Sequence, residues 1–109
     1  MFIDTTKLEV KMPREGWKGR FFHSQHMTFA CYEVEAGASI HAHSHPNDEV
    51  WNVITGELEI TLAGKVYVAG PGCAVVVPPH TVHSVRALTR AAAIVVDHPV
   101  RDSIGGVEL

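Results

Sequence analysis

Two cysteines in 109 residues give this chain no disulfide framework. Cys31 and Cys73 share no CxxC spacing and read as small, reduced, buried apolar side chains. Neither sign of charge accumulates. Nine Lys and Arg are interspersed with twelve Asp and Glu for a net charge of -3. No basic patch with interleaved aromatics is present, which argues against a nucleic-acid partner. Long apolar runs are missing as well. The stretch 91–96 is among the longest and falls far short of a bilayer span, so no membrane association is expected. Residues 1–11 lack the apolar centre of a signal peptide, which makes the cytoplasm the expected compartment. Helix signals are almost absent.

What remains is alternation, β-branched residues and Gly or Pro punctuation. The 46% apolar content supports one folded domain with a real core. A chain of this size buries roughly two-thirds of the surface its unfolded form exposes. Strands are expected over 21–34 (one long or two short), 39–45, 49–55, 57–62, 65–69, 73–77, 81–88 and 91–97. Residues 1–20, broken by Pro13, Gly16 and Gly19, read as an N-terminal arm preceding a barrel over 21–109. Leu58, Ile60 and Leu62 share one face while Glu57, Glu59 and Thr61 share the other, the pattern of a sheet with one wet side. Many short strands at regular spacing indicate an all-β antiparallel sandwich or barrel.

The most informative stretch is His41 to Glu49, His-Ala-His-Ser-His-Pro-Asn-Asp-Glu. Alternate residues of a strand share a face, so His41, His43 and His45 are expected to point into one space. Imidazoles plus the Glu49 carboxylate suit a divalent transition metal, and His83 is a fourth candidate from the other half of the chain. His41 has the ligands' parity and reads equally well as a cavity acid/base or as a surface residue at a strand end. His80 sits in a Pro-Pro-His turn near the expected mouth, and His23, His26 and His98 read as ordinary. Trp51 and Val53 share the parity of Glu49 and should face inward. From the early strand, either Met27 and Phe29 or His26 and Thr28 line the cavity.

Gly37, His43, His45, Glu49 and Gly56 match every fixed position of the first cupin motif, G-x5-HxH-x3-E-x6-G. Gly72, Pro78 and His83 match the second, G-x5-P-x-G-x2-H-x3-N, from which His80 and Ala87 depart. The chain therefore resembles a small single-domain cupin. The resemblance implies a double-stranded β-helix (jelly-roll) barrel over 21–109 with His43, His45, Glu49 and His83 around one divalent metal: Fe, Mn, Ni, Zn, Co or Cu. It also implies a homodimer in which the arm over 1–20 pairs with the partner subunit, a role that Phe2, Leu8 and Val10 would suit.

Asp97-His98-Pro99-Val100-Arg101-Asp102 resembles a late stretch of pectin-degradation cupins, which linearise 4,5-unsaturated uronates. By that resemblance Asp97 is a candidate acid/base and Arg101 a candidate holder of a sugar carboxylate. The spacing is contracted, Glu49 stands where that group often has Gln, and a surface salt bridge is the plainer expectation for the pair. Three function classes follow. One is a metal-dependent enzyme on a small organic or sugar acid, of oxygenase, isomerase or lyase type, with His41 or Asp97 moving protons. Another is a sensor or storage barrel for a small ligand. The third is a structural barrel that a metal only stabilises.

Overall fold

A computed structural model describes all residues from Met1 to Leu109. A short 3-10 turn at Thr5–Lys7 is capped by the Asp4 carboxylate, which accepts from the Thr6 amide. The remaining elements are strands: β1 Lys11–Arg14, β2 Trp17–His23, β3 Thr28–Val34, β4 Ser39–His43, β5 Asp48–Thr55, β6 Leu58–Leu62, β7 Lys65–Ala69, β8 Ala74–Val77, β9 His83–Ala87, β10 Ala91–His98, β11 Ser103–Ile104 and β12 Val107–Glu108. No helix is long and apolar enough to cross a membrane.

Two sheets carry the fold. One is ordered β1-β2-β3-β10-β5-β8 and the other β4-β9-β6-β7, while β11 and β12 form a separate hairpin. Every pairing is antiparallel. The architecture is the all-β jelly-roll barrel that the sequence implies. Period-two alternation makes it so: along β10, Ala91, Ala93, Val95 and Asp97 are buried while the residues between them face out.

The core is a single apolar cluster between the sheets. Trp17 packs edge-on against Tyr32 and Trp51 with ring centroids 5.4 and 5.8 Å apart, an arrangement favoured by the ring quadrupoles. Gly56 closes the turn after β5 at φ 73°, and a Cβ there would lie 2.1 Å from the Arg90 carbonyl oxygen. Both the left-handed backbone and the close approach require glycine.

Two local expectations need correction, and one register that the sequence leaves open is decided. Within residues 1–20, Lys11–Arg14 forms β1 and Trp17 opens β2, with β1 paired to β2 of the same chain. Pro13 permits this because β1 is an edge strand, where a missing N–H leaves no ladder bond unmade. In β3 it is Thr28 that faces inward, and Phe29 does not. Both cysteines are free, but Cys73 is exposed rather than buried.

Candidate metal centre

Two cross-strand pairs build the centre, one from each sheet. His43 on β4 lies opposite His83 on β9, and Glu49 on β5 lies opposite Asp97 on β10. Directly opposed side chains of an antiparallel pair start roughly 5 Å apart, so each sheet presents two groups side by side across the barrel. His45 joins them from the turn between β4 and β5. The ring centroids of His43 and His83 are 4.3 Å apart, and those of His45 and His83 are 4.8 Å apart. The nitrogens of His43, His45 and His83 all lie within 4.8 Å of one another, as do the donor atoms of His45, Glu49 and Asp97.

Each ring's tautomer is fixed by a neighbour in sequence. The Nδ1–H of His43 donates to the His41 carbonyl at 2.8 Å, that of His83 to the Thr81 carbonyl at 2.8 Å, and that of His45 to the Asn47 carbonyl at 3.2 Å. A carbonyl only accepts, so the proton sits on Nδ1. In the neutral ring Nε2 then carries a bare lone pair. The Nε2 atoms of His45 and His83 are buried with no hydrogen-bond partner. They face the Glu49 carboxylate at 3.0 and 3.6 Å. Lone pairs facing a carboxylate across these distances call for a cation between them, either a proton on Nε2 or a metal ion. Imidazoles held by Nδ1–H to carbonyls are the usual setting for metal-ligating histidines. The donor set therefore fits a divalent transition metal, with His43, His45, Glu49 and His83 as the groups that would hold it.

The titration behaviour has the same origin. Burial alone would raise Glu49, but hydrogen bonding with His45, His83 and Asp97 overrides it and holds the carboxyl below the usual range. Burial also opposes the charged form of His83, yet the Glu49 carboxylate leaves it above its ordinary value. Burial lowers His43. Trp51 adds an indole N–H donated to the Glu49 Oε1.

Asp97 and Arg101 both reach this place, where a surface ion pair was the plainer expectation. Asp97 is 1% exposed, with Oδ1 unpartnered. Burial first, then the hydrogen bond and charge of Glu49, pushes its carboxyl well above the ordinary range. The Arg101 Nη1 lies 3.6 Å from Glu49 and 3.8 Å from Asp97. The Arg101 amide donates to the Thr28 hydroxyl at 2.9 Å, and the Asn47 amide group donates to the Pro99 carbonyl at 2.7 Å. The late stretch is thereby tied to β3 and to the turn that carries His45.

His41 does not join the cluster, contrary to the parity argument. A bulge between Ile40 and His43 shifts the register, so Ile40 and His43 face in while His41 is exposed. Its carbonyl orients His43, but its ring lies outside the cavity lining. Trp51 and Val53 do face inward, 3% and 1% exposed. His80 is exposed in its turn at φ 61°.

Sequence reasoning missed two residues of the cavity wall. Arg14 on β1 and Ile104 on β11 line the same small cavity as His43, Glu49, Asp97 and Arg101. Burial leads the causes that lower Arg14, and it has no ion-pair partner among the salt bridges. Ile104 is 4% exposed and forms part of the wall. The space these residues line is about 20 Å³, enough for a water-sized group. Charged β1 residues and a two-residue C-terminal strand give no periodic signal that would have marked either position.

Fold and donor set together define a barrel of the cupin class with a cluster of groups that could hold a metal ion, and sequence comparison agrees on the class. Residues 30–99 match the family described as "Cupin domain", and the chain belongs to that family. Among solved structures it is similar to KdgF from Halomonas sp., at 27% identity over 94% of this chain and 96% of the other, with a TM-score of 0.88. It is also similar to an RmlC-like cupin from Shewanella frigidimarina, at 24% identity over 93% and 92% with a TM-score of 0.87. A predicted oxalate decarboxylase from Thermotoga maritima shares the fold at 17% identity over 92% and 100%, with a TM-score of 0.79. No curated protein matches the chain by sequence.

Proposed function

We propose that this protein is a metal-dependent enzyme acting on a small organic acid. The observation that carries the reading is the clustering of three imidazoles with Glu49 beside a small cavity that His43, Glu49, Asp97, Arg101 and Arg14 line. A divalent ion held there would supply Lewis-acid polarisation of a substrate hydroxyl or carbonyl. Asp97, buried and with a free carboxyl oxygen, is the group to hold or move a proton at the substrate. With Asp97 holding its proton, the two guanidiniums and a divalent ion outweigh the single carboxylate of Glu49 and leave a surplus of positive charge in the cavity. That surplus favours an anionic substrate, and the planar forks of Arg14 and Arg101 suit a carboxylate. Linearisation of 4,5-unsaturated uronates is the finer form of this reading, supported by Asp97 and Arg101 reaching the cavity together.

The test combines metal analysis with turnover. Protein purified without added metal is expected to carry a divalent ion, and His43→Ala and His83→Ala each to lose most of it. Metal-loaded protein is expected to consume an unsaturated uronate or a related hydroxy acid, read by loss of the substrate alkene absorbance or by product chromatography, with KdgF from Halomonas assayed alongside. Arg14→Ala is expected to weaken carboxylate binding about 10- to 100-fold, the worth of a charge-assisted hydrogen bond, while metal content stays unchanged. Full metal occupancy in both histidine variants would sink the reading. The tightness of the space behind Ile104 favours a second reading, a barrel that holds a small ligand without turnover. Ligand-induced melting shifts with no product would select it.

A further inference from the structure

Tyr32 on β3 is buried and turns into the barrel. Neighbouring rings fix its own. Trp17 and Phe21 meet it edge-on with centroids 5.4 and 5.7 Å away, and Trp51 stacks at 6.3 Å. Apolar packing accounts for the ring and not for the hydroxyl. A buried tyrosine ordinarily gives its O–H to an acceptor, and an O–H left without one is costly. No side-chain hydrogen bond of the protein ends on this one. Tyr32 lines the same small cavity as Arg14, Glu49, Asp97 and Arg101, and the charges of all four act on its hydroxyl, Arg14 foremost. Burial nonetheless holds the phenol well above its ordinary value, so it stays an O–H donor. Arg14 is in a similar condition, half-buried on the same space with no carboxylate in ion-pair reach. Two donors without acceptors thus border about 20 Å³, room for one oxygen atom with its shell of contacts.

We infer that Tyr32 is a substrate-contacting residue, its hydroxyl and the Arg14 guanidinium together receiving one oxygen of the acid's carboxylate. This rests on the reading of the barrel as a site for a small organic acid and says how such an acid is recognised. An oxygen that only accepts satisfies both donors at once. An ammonium or amide N–H in the same place would set donor against donor and leave all of them unpaired. Arg14 supplies the charge, and the phenol supplies direction from a different strand. The ring is held by Trp17, Phe21 and Trp51 before any ligand arrives, so little rotamer freedom is lost when the contact forms. A phenol kept protonated takes no proton from the substrate. It orients the acid, and the proton stays the business of Asp97.

Tyr32→Phe removes the hydroxyl and keeps the ring contacts. Metal-loaded wild type and variant are titrated with glycolate by calorimetry, and turnover of an unsaturated uronate is followed alongside. The variant should bind glycolate about 10- to 100-fold more weakly, the worth of a hydrogen bond to a charged group, with KM raised to match, kcat little changed and metal content unaltered. The chain has two tyrosines. In isotopically labelled Tyr67→Phe protein the remaining tyrosine signal is therefore that of Tyr32, and it should shift as glycolate is added. That measurement decides the matter if Tyr32→Phe fails to fold. Weaker glycolate binding by the variant of a barrel that turns nothing over keeps the inference and removes the enzyme. Equal affinity in wild type and variant, or a Tyr32 signal indifferent to glycolate, overturns the inference and leaves the enzyme reading standing where turnover persists. A defect confined to kcat, or loss of metal from the variant, overturns it as well. A wild type that neither binds glycolate nor consumes an acid overturns both.

Discussion

Replacing Asp97 with asparagine should make the metal-free protein more stable, and increasingly so as pH rises. Asp97 and Glu49 are cross-strand neighbours, both nearly inaccessible, at 1% and 3% exposure. Two carboxylates so placed at an effective dielectric near 20 repel by about 4 kcal/mol, which Arg101 at 3.6 and 3.8 Å offsets in part. The folded protein avoids the remainder by keeping a proton on Asp97, whose carboxyl is pushed up to about 9 by burial and by Glu49. The unfolded chain releases that proton near 4. Stability from this group is therefore full below about pH 4 and declines as pH rises toward the folded value, by at most ~1.4 kcal/mol per unit. The amide that Asp97→Asn puts in its place does not titrate in either state. The difference between variant and wild type should thus grow by about 2 to 4 kcal/mol from pH 5 to 8. Urea unfolding of chelator-treated proteins across that pH range measures it, and turnover by the metal-loaded variant should be lost. Curves separated by a constant offset at every pH would refute the reasoning.

Three further outcomes follow from the same geometry. Ile104→Ala opens the wall of the cavity, and loss of a bound ion to a chelator, followed by metal-sensitive absorbance, should speed up at least ~10-fold, while the truncation of a buried side chain should also cost about 2 kcal/mol or more of stability, read as a lower melting temperature. Trp51→Phe deletes the indole donor that fixes Glu49 and should weaken metal binding about 10- to 100-fold in competition titrations, the usual worth of a partner behind a ligand. Gly56→Ala forces a side chain into the Arg90 carbonyl at positive φ and should cost about 2 to 4 kcal/mol in denaturant unfolding, with secondary structure by circular dichroism preserved.

Strand positions and the approach of His43, His45, Glu49 and His83 to one another were legible because both rest on short-range pattern. His43, His45 and Glu49 stand within one strand-turn-strand unit, and the motif around His83 carries its own Gly and Pro landmarks. His41 misled because parity counts residues and a bulge adds one; nothing in the string Ile-His-Ala-His declares where the ladder slips. Arg14 and Ile104 were invisible for a different reason. Each enters the cavity from a strand of four residues or fewer, too short to show a period, with Arg14 half-buried and Ile104 buried near the two ends of the chain. The Lys11 ammonium donating to the Glu108 carbonyl, 97 positions away in the chain, is the kind of contact that joins those ends. An apolar row along the outer side of the six-stranded sheet was present in the composition of β2, β3, β5, β8 and β10, but its continuity appears only once the register aligns Phe22 with Val76.

The carbonyls that receive the imidazole protons each belong to a residue two places away on the same stretch of backbone. Aim is thus a local property of three short segments, settled before any ion arrives. An ion bound there would meet ligands already aimed, so the entropic toll of ordering flexible ligands would be met during folding, and remodelling of the mouth by mutation could change what the barrel receives without disturbing how these imidazoles are held.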